Sequence, residues 1–576
     1  MLQKDEMKFE FLPNDILIRC FQYLDGVDLL YSFDELNHRF TKLIRTIPLK
    51  LDFRSIPKLK FITFCTFLSE NQTIKHQISS LQLSNEIFHD QIEKFLSWFS
   101  LTEFPHLQRL SLIAIDEYDV QEFKTALPLF PRLLSFRLIN SSQIGEHLLS
   151  ILPLSKLRQL SILQSIDNVK FTLQSSTITY LNLSQCNINI LYDLLKHMSL
   201  LKYLTIENLC KNYSSSTKQK ISQEISPLNY LKQIIFNQFE YSFNDFESFS
   251  SFTPNLQSLT LVKHYDIEMI DAKRWQRLIT STLSKLINFH FLFSTHLVDD
   301  INKKFEQFRS RFWRRDHRWL VDYGSNEIAS IIHTIPYIFD RYVLHSYPIQ
   351  YQLDNLNRFD RIRYLSLYNG FNRDQYLYYF SNLNSFEWHR EHLNEDDLTI
   401  ERDLKYLSRI INFFQLEHLT MYNNSTDDIN LILLEIFKQA PRLYSLSLGL
   451  VNWKNLFQNK ELCQCLNRRI RILNGQHYKL SRTDDVEEFC RIFSHIEQFK
   501  CRVTKRKHLL YLLNNLSYLA VLKVIVLKSN HRQSLFRWLK KKPELDVAFL
   551  VQEIASSNQD EEICIWLDRN IDKTMI

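Results

Sequence analysis

Glycine is scarce in this chain. Only 6 of the 576 residues are glycine, against a usual frequency of ~7%, and no two of them lie close together in the sequence. A loop that cradles phosphates needs closely spaced glycines, because its backbone approaches the phosphate and adopts positive φ angles. P-loop nucleotide hydrolases, Rossmann dinucleotide enzymes and protein kinases are therefore not expected.

Long apolar runs and a strong charge of one sign are missing as well. No window of ~18 apolar residues occurs, so we predict neither a membrane span nor a membrane partner. The first ten residues contain acids and no continuous apolar core, which argues against a signal peptide. The net charge of +6 is small for this length, and nucleic-acid binders are usually more basic.

Cysteine usage points to a reducing compartment. The nine cysteines are odd in number and scattered along the chain, which is typical of reduced thiols rather than of a disulfide framework. We therefore expect an intracellular protein that resides in the cytoplasm, the nucleus or both.

A six-residue pattern recurs along most of the chain. Apolar residues occupy the first, fourth and sixth places of the window, as in the segment from Leu107 to Leu112, and the windows begin mostly ~21–30 residues apart. A weaker window surrounds Trp319 and Val321. Another window, at Phe339, falls in step within the same less legible stretch. The clear windows begin at Leu107, Leu133, Leu157, Ile178, Leu201, Leu231, Leu256, Leu286, Ile362, Leu383, Leu416, Leu443, Ile496 and Leu519.

Each window predicts a short β-strand. Side chains at places four and six point to one face of a strand, and those at places three and five point to the other. Helix-like segments, such as residues 91–99 and 429–437, lie between windows. A strand and a helix repeated in this way bury their apolar faces only by stacking on their neighbours. The sequence therefore predicts an α/β fold whose strands form one long parallel sheet.

This pattern resembles that of the leucine-rich repeat family. The window that begins at Ile178 matches the full consensus, with Cys186 at the place that normally holds Asn or Cys and Ile188 after it. Several other windows depart from the consensus at that place. The resemblance implies an irregular horseshoe solenoid of roughly 17–18 repeats over residues 51–529, with the parallel sheet on the concave side and the helices outside.

The first fifty residues break the repeat pattern. Pro13 suits the first position of a helix, where its missing N–H costs nothing, and Asp25-Gly26 predicts a turn before a second helix. A third helix is predicted over about residues 34–45. The first helix is apolar around most of its circumference and must be buried on more than one side. Because three helices of this size fall below the ~40 residues that usually fold alone, another protein best explains the surplus apolar surface.

Residues 8–50 resemble the F-box, the adaptor-docking motif of modular ubiquitin ligases. The resemblance includes Leu12-Pro13, Ile16-Leu17, Phe21, Tyr23-Leu24 and Asp28-Leu29-Leu30, and Phe40 stands where the family favours Trp. It implies docking on a Skp-type adaptor, which bridges to a cullin scaffold. For each contact, the alternative is that the residue only holds the bundle together. The implied adaptor contacts are Leu12, Pro13, Ile16, Leu17, Leu29 and Leu30.

The two resemblances together imply a non-catalytic substrate receptor of an SCF-type ubiquitin ligase, with no cofactor. The bundle would bind the adaptor, the repeats would bind a protein substrate, and a recruited conjugating enzyme would perform the transfer. One alternative is a repeat scaffold that does not recruit the adaptor. A weaker alternative is an RNA-associated protein that uses the arginine- and aromatic-rich residues 308–319, although a helix with its arginines outward and its rings inward is the favoured interpretation of that segment.

The sequence contains two short motifs with metal-ligand residue types and one group of candidate substrate-binding residues. His389-Arg390-Glu391-His392 lacks the His-Glu-x-x-His spacing, and Cys463-Gln464-Cys465 has no second pair, so no metal site is expected. In the later windows, the face opposite the buried strand positions, which is the concave side of the implied horseshoe, concentrates rings with polar groups, a type enriched in binding hot spots. The alternative is an idle surface. The substrate-binding candidates are Tyr364, Tyr368, His389, His418 and Tyr422.

The final segment, residues 530–576, loses the window pattern. We predict short helices at residues 535–539, 545–555 and 563–567. A terminal repeat needs a cap with a polar outer side, so these helices are expected to cover the last repeat.

Overall fold

The computed structural model describes most of the chain. By internal packing, the chain divides into two compact units, Met1–Val321 with Ile331–His333 and Asp322–Ser330 with Thr334–Ile576. The described residues are 9–54, 56, 58–86, 90–115, 117–127, 130, 132–139, 156–165, 176–211, 226–296, 301–325, 329–344, 359–368, 379–390, 400–423, 429–449, 453–480, 482–503, 505–527, 548–556 and 560–568.

The first unit begins with three short helices, as predicted. A 3₁₀ turn at Phe9–Phe11 precedes α1 (Asn14–Tyr23), α2 (Gly26–Phe33) and α3 (His38–Ile44). The side chains of Asp25 and Asn37 accept hydrogen bonds from backbone N–H groups in the first turns of α2 and α3, which satisfies donors that have no partner within the helix.

An apolar cluster holds the three helices together. Leu17 and Phe21 of α1 and Phe40 of α3 are buried. The rings of Phe21 and Phe40 meet edge to face with centroids 5.7 Å apart, a favoured geometry for aromatic pairs.

Strands and helices then follow one another along the chain up to Ile335. The first sheet contains β1 (Leu49–Asp52), β2 (Ile78–Ser84), β3 (Arg109–Ile113), β4 (Ser135–Ile139), β5 (Gln159–Ser165), β6 (Tyr180–Cys186), β7 (Tyr203–Leu209), β8 (Gln233–Phe236), β9 (Ser258–Lys263), β10 (Asn288–His296), β11 (Leu320–Ser325) and β12 (Ala329–Ile335). The helices are α4 (Lys58–Glu70), α5 (Gln72–Gln77), α6 (Gln91–Trp98), α7 (Glu117–Ala126), α8 (Ile188–Leu195), α9 (Phe243–Ser250), α10 (Ala272–Ser281) and α11 (Ile301–Gln307), with a π-helical turn at Phe312–Asp316.

In the first sheet, the strand of each window pairs with the strand of the next window. From β1 to β10 they follow chain order, each parallel to the next, and the order then ends β10-β12-β11. Leu110 pairs with Phe136 and Leu112 pairs with Leu138, so the fourth and sixth places of adjacent windows lie side by side. All four side chains are buried, whereas Arg137, between two of them, is exposed. The predicted windows therefore form one buried face of a parallel sheet.

The second unit has the same construction. Its strands are β13 (Arg341–Leu344), β14 (Tyr364–Tyr368), β15 (Ser385–Arg390), β16 (His418–Asn423), β17 (Ser445–Leu448), β18 (Ile472–Leu480), β19 (Gln498–Val503), β20 (Val521–Leu527), β21 (Ala548–Ser556) and β22 (Asp560–Asp568). Its helices are α12 (Ile400–Ile410), α13 (Ile429–Gln439), α14 (Trp453–Gln458), α15 (Lys460–Arg469), α16 (Thr483–Ile492) and α17 (Arg506–Asn515). Strands β13 to β20 are parallel and in chain order.

The prediction of one long sheet is wrong for the described residues, because the strands form two sheets. The window spacing weakens after β10, and the last two strands of the first sheet lie in reversed order. A strand that follows a different spacing does not pair with its neighbour in the register of the earlier strands. Two further windows were not predicted. Ile78, Leu81 and Leu83 form one in β2, and Ile470 and Leu473, with Gly475 at the sixth place, form one that leads into β18.

The predicted helices at residues 545–555 and 563–567 are wrong. Residues in both segments form the antiparallel strands β21 and β22, and β22 pairs with β20. Short apolar runs do not by themselves distinguish helix from strand. Here β-branched residues such as Ile563 and Ile565 favour a strand, and β20 offers backbone groups that require partners. The helix predicted at residues 535–539 lies outside the described residues.

Candidate functional site

Helix α1 carries apolar side chains on two sides. Leu17 and Phe21 are buried in the bundle. Ile16, Cys20 and Tyr23 follow a spacing of four and three residues, which places them on one side of a helix. Ile16 is 38% exposed and Tyr23 is 91% exposed, while Cys20 is half-buried. The chain itself therefore covers one apolar side of α1 and leaves another open.

Exposed apolar side chains are concentrated in the bundle. Within the described part of the chain, 21 large hydrophobic residues are exposed, and seven of them lie between positions 9 and 36. Single exposed apolar residues are normal, so their concentration in one short segment makes that segment a candidate binding surface. We call these seven residues the apolar bundle surface: Phe9, Phe11, Ile16, Tyr23, Leu24, Tyr31 and Leu36.

The six predicted adaptor contacts divide into two groups. Pro13 and Ile16 are exposed and Leu12 is half-buried. In contrast, Leu17, Leu29 and Leu30 are buried in the chain's own core, where they hold the bundle together. Sequence reasoning did not select Phe11, Tyr23 or Leu36, although the helical spacing from Ile16 to Tyr23 was a usable signal.

The bundle is fixed to the start of the first sheet. The side chain of Asp25 accepts hydrogen bonds from the backbone N–H groups of Val27 and Asp52, both at 2.8 Å, and burial raises the pKa of its carboxyl group. The amide of Gln77 donates to the carbonyl oxygens of Ile44 and Ile47 at 3.0 Å. These contacts hold the helices in one position against the strands.

Arg39 fixes the segment that carries Phe11 and Pro13. Its guanidinium donates to the carbonyl oxygen of Leu12 at 2.6 Å and to Oδ1 of Asn14 at 2.7 Å. It also donates to the carbonyl oxygen of Glu10. Three acceptors on one short segment restrain its backbone, so the exposed side chains of this segment stand on an ordered support.

A second candidate surface lies on the second sheet. Tyr368, His389 and Tyr422 occupy the seventh places of three windows and are in register on β14, β15 and β16. The ring of His389 stacks on Tyr368 with a centroid distance of 4.2 Å and on Tyr422 at 4.6 Å. Tyr368 and Tyr422 are 38% and 37% exposed. We call these three residues the aromatic row.

Glu387 connects the aromatic row to its neighbours. Ser366 donates to Oε2 of Glu387 at 2.7 Å, and the hydroxyl of Tyr364 donates to the same oxygen. Nε2 of His389 lies 3.1 Å from Oε1, an approach whose angles do not meet those of a hydrogen bond. Burial, followed by the charge of Glu387, raises the pKa of Tyr422.

The structure brings four of the five predicted substrate residues together. Tyr364 joins the row through Glu387 and lies under the guanidinium of Arg341, 5.2 Å from the ring centroid. His418 aligns instead with Ser385 on β15, and its ring contacts Tyr444. Sequence reasoning did not select Glu387, although its fifth place in the window put it on the same face.

The remaining chemical candidates form no metal site in the described part of the chain. No group of three or more His, Cys, Asp or Glu side chains is placed to hold a metal ion there. Of the His389 motif, Glu391 and His392 lie outside the described residues. Cys463 and Cys465 are half-buried on α15, and Cys463 donates to the carbonyl oxygen of Phe457. No helix among the described residues has the length and apolar character needed to cross a membrane.

Neither a protein-family model nor a curated protein sequence matches the chain. The function of this chain is therefore inferred from its residues and their geometry.

Proposed function

We propose that this protein is the substrate-recognition subunit of a cullin-based, SCF-type ubiquitin ligase. In this proposal the three-helix bundle is an F-box that docks on a Skp-type adaptor. Each of the two mostly parallel sheets, with its helices, is an irregular leucine-rich-repeat array, and these repeats bind a protein substrate. The chain acts by positioning, since holding two reactants together raises their effective concentration.

The apolar bundle surface is the observation that carries the proposal. A third of the exposed large apolar side chains of the described chain lie in 28 of its residues. Exposing apolar surface costs about 25 cal/mol per Å² relative to burying it, so a partner that covers these residues gains free energy. The contacts of Arg39, Asp25 and Gln77 support this interpretation, because they hold the surface in one geometry before a partner arrives.

The aromatic row supports the substrate-binding half of the proposal. Tyrosine rings with polar groups are typical of binding hot spots. The row lies on regular strands that hold its rings in a fixed geometry.

Co-purification with a Skp-type adaptor tests the proposal. The unmodified chain is expected to retain the adaptor through gel filtration. The double variant Leu12→Ala/Pro13→Ala is expected to weaken retention, and Ile16→Asp/Tyr23→Ala is expected to abolish it. A matched control, Ile287→Asp/Tyr230→Ala, alters the same residue types at exposed positions outside the bundle and is expected to retain the adaptor. Failure of the unmodified chain to bind any Skp-type adaptor contradicts the proposal.

A scaffold protein that does not recruit the adaptor is the second candidate. It is favoured by the contact between the bundle and the first sheet, where Asp25 bonds the backbone of Asp52 and Gly26 lies against Lys50. A bundle fixed in this way also serves as the cap that a terminal repeat requires. Under this alternative neither the unmodified chain nor the bundle variants retain the adaptor. The substitutions in the bundle then change only the stability of the chain.

A further inference from the structure

Residues 309–318 hold most of the chain's excess positive charge. They contain five arginines and one aspartate, a net charge of +4, whereas the whole chain carries +6. This segment surrounds the π-helical turn Phe312–Asp316 in the first unit. It takes no part in the surfaces described above.

The aromatic rings of this segment are anchors on the inside. Trp313 is fully buried, and Phe308 and Trp319 are 1% and 7% exposed. The indole N–H of Trp319 donates to the carbonyl oxygen of Ile287 at 3.0 Å. The backbone N–H of Trp319 donates to the carbonyl oxygen of Trp313 at 2.9 Å. The buried rings and these two hydrogen bonds therefore hold the turn in place.

The arginines point the other way. Arg309 pairs with Glu306 at 2.8 Å, and Arg311, 81% exposed, lies 3.5 Å from the partly exposed Asp316. Arg314, Arg315 and Arg318 are exposed. Within the described residues no carboxylate pairs with any of these three side chains. We call Arg311, Arg314, Arg315 and Arg318 the arginine platform.

We propose that the arginine platform binds an acidic, Asp- and Glu-rich segment of a partner protein. A guanidinium pairs with a carboxylate through two parallel hydrogen bonds. A platform fixed by buried rings loses little backbone entropy on binding. The four arginines are spread over eight residues on the surface, which suits a run of single negative charges better than one phosphate group.

The burial of the rings argues against nucleic acid as the occupant. Proteins that bind single strands stack bases on exposed aromatic side chains, and Trp313 and Trp319 have no free face for stacking. Because the platform is separate in sequence from the bundle, this inference does not depend on adaptor docking.

Fluorescence anisotropy with the full chain tests the inference. The probes are a labelled peptide of about twelve residues rich in glutamate, the same peptide with glutamine, a peptide with one phosphoserine, and a short poly(U) RNA. We expect the glutamate peptide to bind tightest, and its affinity to fall as NaCl is raised from about 50 to 200 mM. The variant Arg314→Ala/Arg315→Ala is expected to lower that affinity at least about tenfold.

A charge-matched variant separates the platform from general attraction. Lys202→Ala/Lys232→Ala removes two exposed cations elsewhere in the first unit and is expected to change the affinity less than about twofold. Equal losses in both variants, tighter binding of the phosphopeptide or of the RNA, or no binding of the glutamate peptide each overturn the proposal. All four positions are exposed, so an unchanged thermal midpoint is expected and confirms that folding is intact.

Discussion

The ring of His389 lies parallel to the ring of Tyr368, with an interplanar angle of 6° and centroids 4.2 Å apart. Adjacent strands of a sheet are spaced about 4.8 Å apart, which is close to the distance at which flat rings stack. The strand spacing therefore brings the rings at the seventh places of these windows within stacking distance. Tyr422 extends the stack on the other side of His389, and the row follows directly from the window spacing.

The first prediction concerns the aromatic row. Replacing Tyr368 and Tyr422 by alanine removes two exposed rings from the open side of the sheet. We expect partner capture to fall at least tenfold, since aromatic hot spots are typically worth about 2 kcal/mol or more. The measurement is quantitative mass spectrometry of proteins retained from a cell lysate by the immobilised chain.

The matched control keeps the rings. The variant Tyr368→Phe/Tyr422→Phe preserves the stack and removes only the hydroxyl groups, so it separates ring contact from hydrogen bonding. Both variants are expected to remain folded, as shown by a cooperative thermal transition. Unchanged capture by the alanine variant shows that the row is an idle surface.

The strand positions were largely predictable from the sequence. The buried pairs Leu110–Phe136 and Leu112–Leu138 follow from a period of two within each window and from the need of each repeat to stack on its neighbours. The same spacing placed Tyr368 and His389 at corresponding positions. The windows did not predict that Glu387 accepts hydrogen bonds from Ser366 and Tyr364. Hydrogen bonds between side chains depend on rotamers, which a repeat pattern does not specify.

The sequence pattern does not predict which apolar residues of the bundle are buried and which are exposed. Helix α1 is apolar around most of its circumference, and such a helix does not reveal which side its own chain covers. Leu17 and Leu29 are buried, whereas Ile16 and Tyr23 are exposed, and only the packing of three helices decides this. The strands β21 and β22 were not predicted for a similar reason. β22 pairs with the edge of β20, and the sequence of a short apolar segment does not show that such an edge lies beside it in the fold.

The second prediction concerns the ionisation of Tyr422. Burial, and then the charge of Glu387, raises the pKa of this phenol above its usual value near 10. A raised folded pKa means that the contribution to stability is complete below pH 10 and is lost as the pH rises further. We therefore expect the native chain to lose stability relative to Tyr422→Phe above pH 10, measured as denaturant midpoints from pH 8.5 to 11.

Glu387→Gln is the control for this effect. Glutamine keeps an acceptor for Ser366 and removes the negative charge. The titration of Tyr422, followed by absorbance at 295 nm as a difference from Tyr422→Phe, is expected to shift to lower pH in this variant. Burial remains, so the shift back is partial. A pH-independent difference between the native chain and Tyr422→Phe contradicts the prediction.

The third prediction concerns Gly26, the first residue of α2. A Cβ atom at this position would lie 2.8 Å from the carbonyl oxygen of Lys50 and 2.9 Å from Cδ2 of Leu51. The oxygen belongs to the backbone of β1, so relief requires the bundle to move. We expect Gly26→Ala to lower the free energy of local opening of α1 to α3 by about 1–3 kcal/mol, measured by amide hydrogen exchange.

Ser32→Ala provides the comparison within the same helix. Ser32 is exposed, so this variant is expected to change the opening free energy by less than about 0.5 kcal/mol. If Gly26→Ala exchanges like the native chain, the bundle is not held against β1 in the way the geometry indicates.

The fourth prediction uses Cys20 to report on the bundle. Cys20 is half-buried on the open side of α1, while Cys65 and Cys490 are buried. Burial raises the pKa of both buried thiols to about 12, and only the thiolate reacts with alkylating reagents. We expect iodoacetamide at pH 8 to modify Cys20 at least a hundredfold faster than Cys65 or Cys490, as measured by peptide mass spectrometry.

The same reaction distinguishes the two proposed functions. If an adaptor covers the open side of α1, then adding it in excess must slow the alkylation of Cys20 and leave that of Cys463, half-buried on α15, unchanged. Cys463 thus serves as an internal control for reagent consumption in the same sample. A rate at Cys20 that stays constant as adaptor is added favours the scaffold, because a partner that packs on Ile16 and Tyr23 also shields the thiol that lies between them along the helix.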